Sequence, residues 1–135
     1  MYSKKANNKM NEKEFNGVIK APMQKKYKYF LNKAADNGSI WGLYKDGWAM
    51  SSDDKDSLFI PLWPLKEFAL AAAIEEWGDY KPEKLDIGEF LEKYLDEITD
   101  NGIGVSVMYT KENKGIIVNN KQLKKDLQRE LHRIE

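Results

Sequence analysis

The triplet Asp-Asn-Gly occurs twice, at residues 36–38 and 100–102, and each copy separates a helix-like run from a strand-like run. Before the first triplet, Met23, Tyr27, Phe30, Leu31 and Ala34 recur at helical spacing; after it comes "SIWGLY". Before the second, Ile87, Phe90, Leu91, Tyr94, Leu95 and Ile98 form an apolar stripe; after it comes "IGVSVMYT". Glycine ends a helix in the left-handed conformation without a Cβ penalty. Twice, therefore, the chain must stop a helix sharply and start a strand. The flanks of the two triplets do not match, so they are shared punctuation and not a repeat.

The remaining segments follow the same logic. Pro22 suits the first position of a helix whose outer face carries Lys25, Lys26, Lys28 and Lys33. Asp46-Gly47 signals a two-residue hairpin turn, which pairs Lys45 with Trp48, Tyr44 with Ala49 and Leu43 with Met50. That register places Trp41, Leu43, Trp48 and Met50 on one face, with Ile40, Tyr44 and Ala49 on the other. "LFIPL" reads as a third strand, its Pro61 pointing to an edge or a bulge. The run from Pro64 through Leu65, Phe68, Leu70, Ala72 and Ile74 predicts a helix apolar nearly all round, hence buried. "YKPEKL" is extended. Asp86 with Glu89 forms a capping box, and Leu85 faces Phe90 as a hydrophobic staple. "GIIV" is a further strand, and Asn119 or Asn120 caps a last helix striped by Leu123, Leu127, Leu131 and Ile134.

The fold class is α+β: a mainly antiparallel sheet of about five strands covered by about four helices, in the order α-β-β-β-α-(β)-α-β-β-α. Residues 1–20 read as a flexible Lys/Asn-rich arm with a small cluster of Phe15, Val18 and Ile19, and residues 21–135 as a single domain.

Much chemistry is excluded by composition. The 135 residues include no Cys and one His, His132, which removes thiolate catalysis, Cys-ligated zinc, multi-histidine metal sites and a Ser-His-Asp triad in the body of the domain. No phosphate-binding glycine motif and no G-x-S-x-G occurs, and Ser106 sits in mid-strand. The acidic turn Asp53, Asp54, Asp56 lacks the Gly and distal Glu of a calcium loop. No catalytic residue, cofactor or metal is assigned. With no membrane-length apolar run and no apolar core in the first residues, a cytoplasmic location is expected. Arg is absent from the basic arm and aromatics are sparse, so nucleic acid is not the expected partner. Charge is segregated: nine Lys against two Glu up to Lys33, six Lys against sixteen carboxylates over residues 34–110, and seven basic against four acidic residues beyond. An acidic middle of this kind steers basic partners.

The blocks "YFLNKAADNGSIWGLYKDGWAM", "IPLWPLKEFA", "EEWGDYKPEKLDIGEFLEKYL", "DNGIGVSVMYT" and "KGIIVNNKQLKKDL" resemble, in order, the bacterial family catalogued as domain of unknown function 2750. The resemblance runs from about Tyr27 to Leu127 and implies a small bacterial cytosolic protein, bringing no catalytic residues with it. A fainter, fold-level similarity to SseB-like proteins implies secretion or toxin–immunity settings.

The reading that follows is a non-enzymatic protein-interaction module, in an immunity or accessory role, whose acidic central surface takes a basic protein partner. The alternative is a small-ligand-binding or enzymatic domain with a Trp/Glu pocket. Candidate binding residues for either are Trp48, Trp63, Glu75, Glu76, Trp77 and Asp79. Trp63, at a strand-to-helix handover, is the tryptophan expected to be partly exposed.

Overall fold

The computed structural model describes residues 10–134. Its helices are α1 (Glu12–Ile19), α2 (Met23–Asn37), α3 (Lys66–Ala72), α4 (Ile87–Glu89), α5 (Leu95–Asp100) and α6 (Asn120–Arg133), with a π-helical turn Phe90–Tyr94 joining α4 to α5. The strands are β1 (Ser39–Tyr44), β2 (Ser51–Ser52), β3 (Leu58–Leu62), β4 (Lys81–Asp86), β5 (Gly104–Val107) and β6 (Ile116–Val118). The architecture is α+β, as expected.

Strand β3 is the centre. On one edge β5 lies parallel to it, Ile60 opposite Val105, and β6 continues antiparallel to β5. On the other edge β2 is antiparallel, Ser51 opposite Phe59. Trp41 of β1 and Trp63 exchange both backbone hydrogen bonds at 2.8 Å, and β1 pairs along its length with β4. β1 and β2 therefore border the same edge of β3, and the chain between them loops out and returns. Phe59 and Trp63 both turn their backbone groups to this edge. Pro61 lies between them, so its missing N–H falls in the gap between the Trp41–Trp63 bridge and the pairing with β2. The proline thus sits in a central strand, against the expectation of an edge or a bulge, because the neighbouring strand is interrupted there.

The loop-out also corrects the hairpin register. Lys45 N–H donates to Gly47 O (2.9 Å), Ala49 N–H to Leu43 O (2.8 Å), and Tyr44 bridges Trp48. The turn holds three residues, not two, with Asp46 at φ 59°. A slip of one residue moves a side chain to the other face. A Cβ on Gly42 would lie 2.9 Å from the Trp48 ring and 3.6 Å from Leu62, so Trp48 shares the Gly42 face and stands opposite Trp41. Met50 is exposed while Ile40 and Ala49 are buried.

Local signals hold where they depend on neighbours in sequence. Gly38 caps α2 at φ 65°, Asp86 accepts from Glu89 N–H, and Asn119 accepts from Gln122 N–H. The helix after Pro64 is shorter than expected and not buried all round: it ends at Ala72, leaving Leu70 and Ile74 exposed. The arm expected over residues 1–20 falls partly outside the described residues. From Glu12 onward it is α1, capped by Asn11, its Phe15 stacked on Phe68 at 4.9 Å and its Glu14 accepting from Tyr29 Oη at 2.7 Å. Phe15, Val18 and Ile19 form one helical stripe, partly buried against the core, with Phe15 and Ile19 beside Phe68 of α3.

Helices α2 and α6 are tied by Tyr27 Oη, which donates to Asp126 Oδ2 at 2.6 Å. Burial, then the hydrogen bond and charge of a carboxylate, push the Tyr27 and Tyr29 phenols well above their ordinary value of 10.0. Above pH 10 the unfolded chain releases protons that the folded chain keeps, so stability must fall as pH rises beyond that point. The urea midpoint is expected to drop from pH 10 upward, and Tyr27→Phe to flatten the drop; a profile as steep in the variant would remove Tyr27 as its source.

Candidate functional site

The six candidate residues fall in three places. Trp63 and Trp77 are buried, at 0% and 6% exposure, which corrects the expectation that Trp63 is partly exposed. The strand does not end before Pro64 but carries on through the Trp41 bridge. Trp63 Nε1–H donates to the Tyr109 carbonyl at 2.7 Å, and the Trp77 ring lies 4.9 Å from the Tyr109 ring, tilted by 56°. Glu75 (φ 53°) and Glu76 sit on the 3₁₀ turn Glu75–Trp77, both exposed. Burial first, then the charges of Glu76 and Glu75, raise the Tyr109 phenol above its ordinary range. These four candidates thus converge on Tyr109, but the indole donor of Trp63 is already used. Asp79 lies apart, paired at 3.3 Å with Lys45 of the loop-out. Both side chains of that pair are well exposed, so it contributes little to stability.

Trp48 belongs elsewhere. With Ile60, Leu62, Leu85, Phe90, Tyr94, Glu97 and Ile98 it lines a cavity of about 190 Å³ between the sheet and residues 87–100. Two sequence devices open it. Gly42 has no side chain where the Trp48 ring lies, and the π turn Phe90–Tyr94 supplies both Phe90 and Tyr94 to the wall. The walls are three aromatic rings and four aliphatic side chains, and the one carboxylate is Glu97. Trp48 itself is half-buried, its ring edge-on to Tyr44 at 5.0 Å. Outside the cavity, Glu89, Glu92, Asp96, Glu97 and Asp100 are all exposed at helical spacing, against a single Lys93. Asp96 is engaged by Lys124 at 3.6 Å. The arrangement suits an apolar group that carries, or is flanked by, positive charge.

A hollow of the same volume over β2 and β5, at Ser51, Phe59 and Ser106, is chemically poorer. The Ser106 hydroxyl is already committed to the Lys114 carbonyl at 2.8 Å. Among the described residues no acidic or histidine cluster has metal-binding geometry, and no helix is long and apolar enough to cross a membrane.

Sequence reasoning found Trp48 but missed Phe90, Tyr94 and Glu97 as its neighbours. The Leu85–Phe90 staple was the available signal, since both residues line the cavity.

A family model described as "Protein of unknown function (DUF2750)" matches residues 27–127. The chain belongs to that family. Comparison with curated proteins and with solved structures finds no match. The likeness to SseB-like proteins therefore has no counterpart among these comparisons.

Proposed function

We propose that this member of the DUF2750 family is a non-enzymatic protein-interaction module of the bacterial cytoplasm, binding a basic segment of a partner protein. An apolar side chain of that segment enters the Trp48 cavity, and its flanking Lys or Arg residues meet the carboxylates of residues 86–100. The observation that carries this reading is the juxtaposition itself: an apolar cavity opening beside six carboxylates and one lysine. Aromatic anchors in a central pocket, with charges around them, are where interface energy concentrates. An immunity or accessory role would use the face in this way.

Capture of a partner by the wild-type chain should weaken with salt, because the exposed carboxylates are screened. Tyr94→Ala, which removes one wall, is expected to weaken binding of the same partner by about tenfold or more. Glu97→Lys, at an exposed position, should do likewise without disturbing the core. Undiminished capture by both variants would sink the proposal. A second reading places a small apolar ligand with a cationic group in the cavity, favoured by Trp48 and Glu97 lining the same space. Native mass spectrometry that finds such a molecule on the purified chain, with no partner protein captured, would decide for it.

A further inference from the structure

Lys26 is only 8% exposed, although it stands among three other lysines that the helical pattern assigns to an outer face. Among the described residues its ammonium makes no hydrogen bond or ion pair. Its stem is therefore packed into the fold, and the unpartnered ammonium is carried to wherever that buried stem ends. No fully enclosed polar side-chain atom lacks a partner among the described residues, so the ammonium must reach an open space. The side chain lines a cavity of about 100 Å³, and no carboxylate shares that cavity.

The surroundings are independently suited to an anion. The cavity lies at the N-terminal turn of α2, a helix of fifteen residues, and Met23 forms part of its wall. That terminus has no side-chain cap and no acidic residue in its first turn. The first hydrogen bond back to the chain is Lys26 N–H to Pro22 O, so the N–H groups of Met23, Gln24 and Lys25 have no partner within the helix. Helix dipole and ammonium therefore favour negative charge at the same place. Asn113, from the β5–β6 connection, also lines the cavity. Its Oδ1 accepts from Gly115 N–H at 2.8 Å, which leaves its amide nitrogen as a further donor.

We propose that this cavity is an oxyanion-binding site, in which Lys26, the first turn of α2 and Asn113 hold a phosphate- or carboxylate-sized group. It is separate from the Trp48 cavity and does not depend on the partner reading. The volume admits a free ion or the terminal group of a larger molecule, but not a nucleotide.

Titrating the full chain with inorganic phosphate, against chloride at matched ionic strength, tests the site by ¹⁵N–¹H spectroscopy. Saturable shifts are expected at Gln24, Lys25, Lys26 and Asn113, with a dissociation constant on the order of millimolar. Acetate is the second arm. A response to phosphate alone identifies a phosphoryl group as the ligand, and a response to acetate alone a carboxylate; either supports an oxyanion site. Lys26→Met keeps the buried stem and should weaken binding by at least about tenfold. Should Lys26→Met fail to fold, Asn113→Ala at an exposed position provides the second variant and should bind more weakly than the wild-type chain. No saturable shift with either anion through tens of millimolar, or unchanged affinity in the folded variant, would overturn the assignment.

Discussion

Trp63→Ala is expected to bring the chain to the edge of unfolding at ambient temperature. The indole is fully buried, among the largest side chains of the core. Truncating a buried Trp costs about 3–5 kcal/mol through lost burial and the cavity left behind. The same change strands the Tyr109 carbonyl, which accepts from Trp63 Nε1–H at 2.7 Å, adding about 1–3 kcal/mol for an acceptor left dry. Against a total stability of roughly 5–15 kcal/mol, that sum takes most of the margin. Trp63→Phe helps separate the two causes, since it keeps most of the apolar area but loses the donor entirely. Urea denaturation should rank the alanine variant far below the phenylalanine variant, with both below wild type. An alanine variant within about 1 kcal/mol of wild type would mean that Trp63 is not a core residue at all.

Trp63 also shows where sequence reasoning reaches its limit. A residue before a proline reads as the end of a strand, and strand ends are often wet. The pairing with Trp41 that keeps Trp63 in the sheet is made by residues twenty-two positions apart, and no local pattern encodes it. The parallel pairing of β3 with β5 is hidden for the same reason. Caps were legible because Asp86, Asn119 and Gly38 act on groups three or four residues away.

The Trp48 register lay between these extremes. Asp46-Gly47 correctly marks a turn, but the dipeptide fits two-residue and three-residue loops alike. The choice is made by the Trp48 ring lying over Gly42. One residue of slip then decides that Trp48 lines the cavity of the proposed interaction site. Lys26 failed similarly: helical spacing grouped it with Lys25 and Lys28, whereas its burial comes from Met108 and the β5–β6 connection packed beside it. Charge segregation was visible in counts, and the apolar stripe of residues 87–98 leaves the carboxylates on the opposite face, but the cavity beside them is made by Trp48, Ile60 and Leu62 from distant strands and has no local signature.

That β5–β6 connection depends on Gly115, and Gly115→Ala is expected to be nearly as damaging as the loss of Trp63. The residue sits at φ 87°, which L side chains rarely adopt. A Cβ there would meet Ser106 Oγ at 2.5 Å, the Val107 carbonyl oxygen at 2.8 Å and the Tyr109 nitrogen at 3.1 Å. The hydroxyl can rotate, but only by giving up its hydrogen bond to the Lys114 carbonyl. The two backbone atoms belong to β5 and the residues that follow it, and they cannot move without disturbing the sheet. Gly38 supplies the control: it has φ 65°, but nothing lies within 4 Å of where its Cβ would stand. Gly38→Ala therefore meets only the left-handed penalty of about 1–2 kcal/mol. For Gly115→Ala the same penalty is joined by overpacking of about 1–3 kcal/mol. Thermal denaturation of the two variants side by side isolates the close approach from the dihedral. Equal losses would show that the connection can relax away from β5, and that the walls holding Asn113 near Lys26 are softer than their geometry implies.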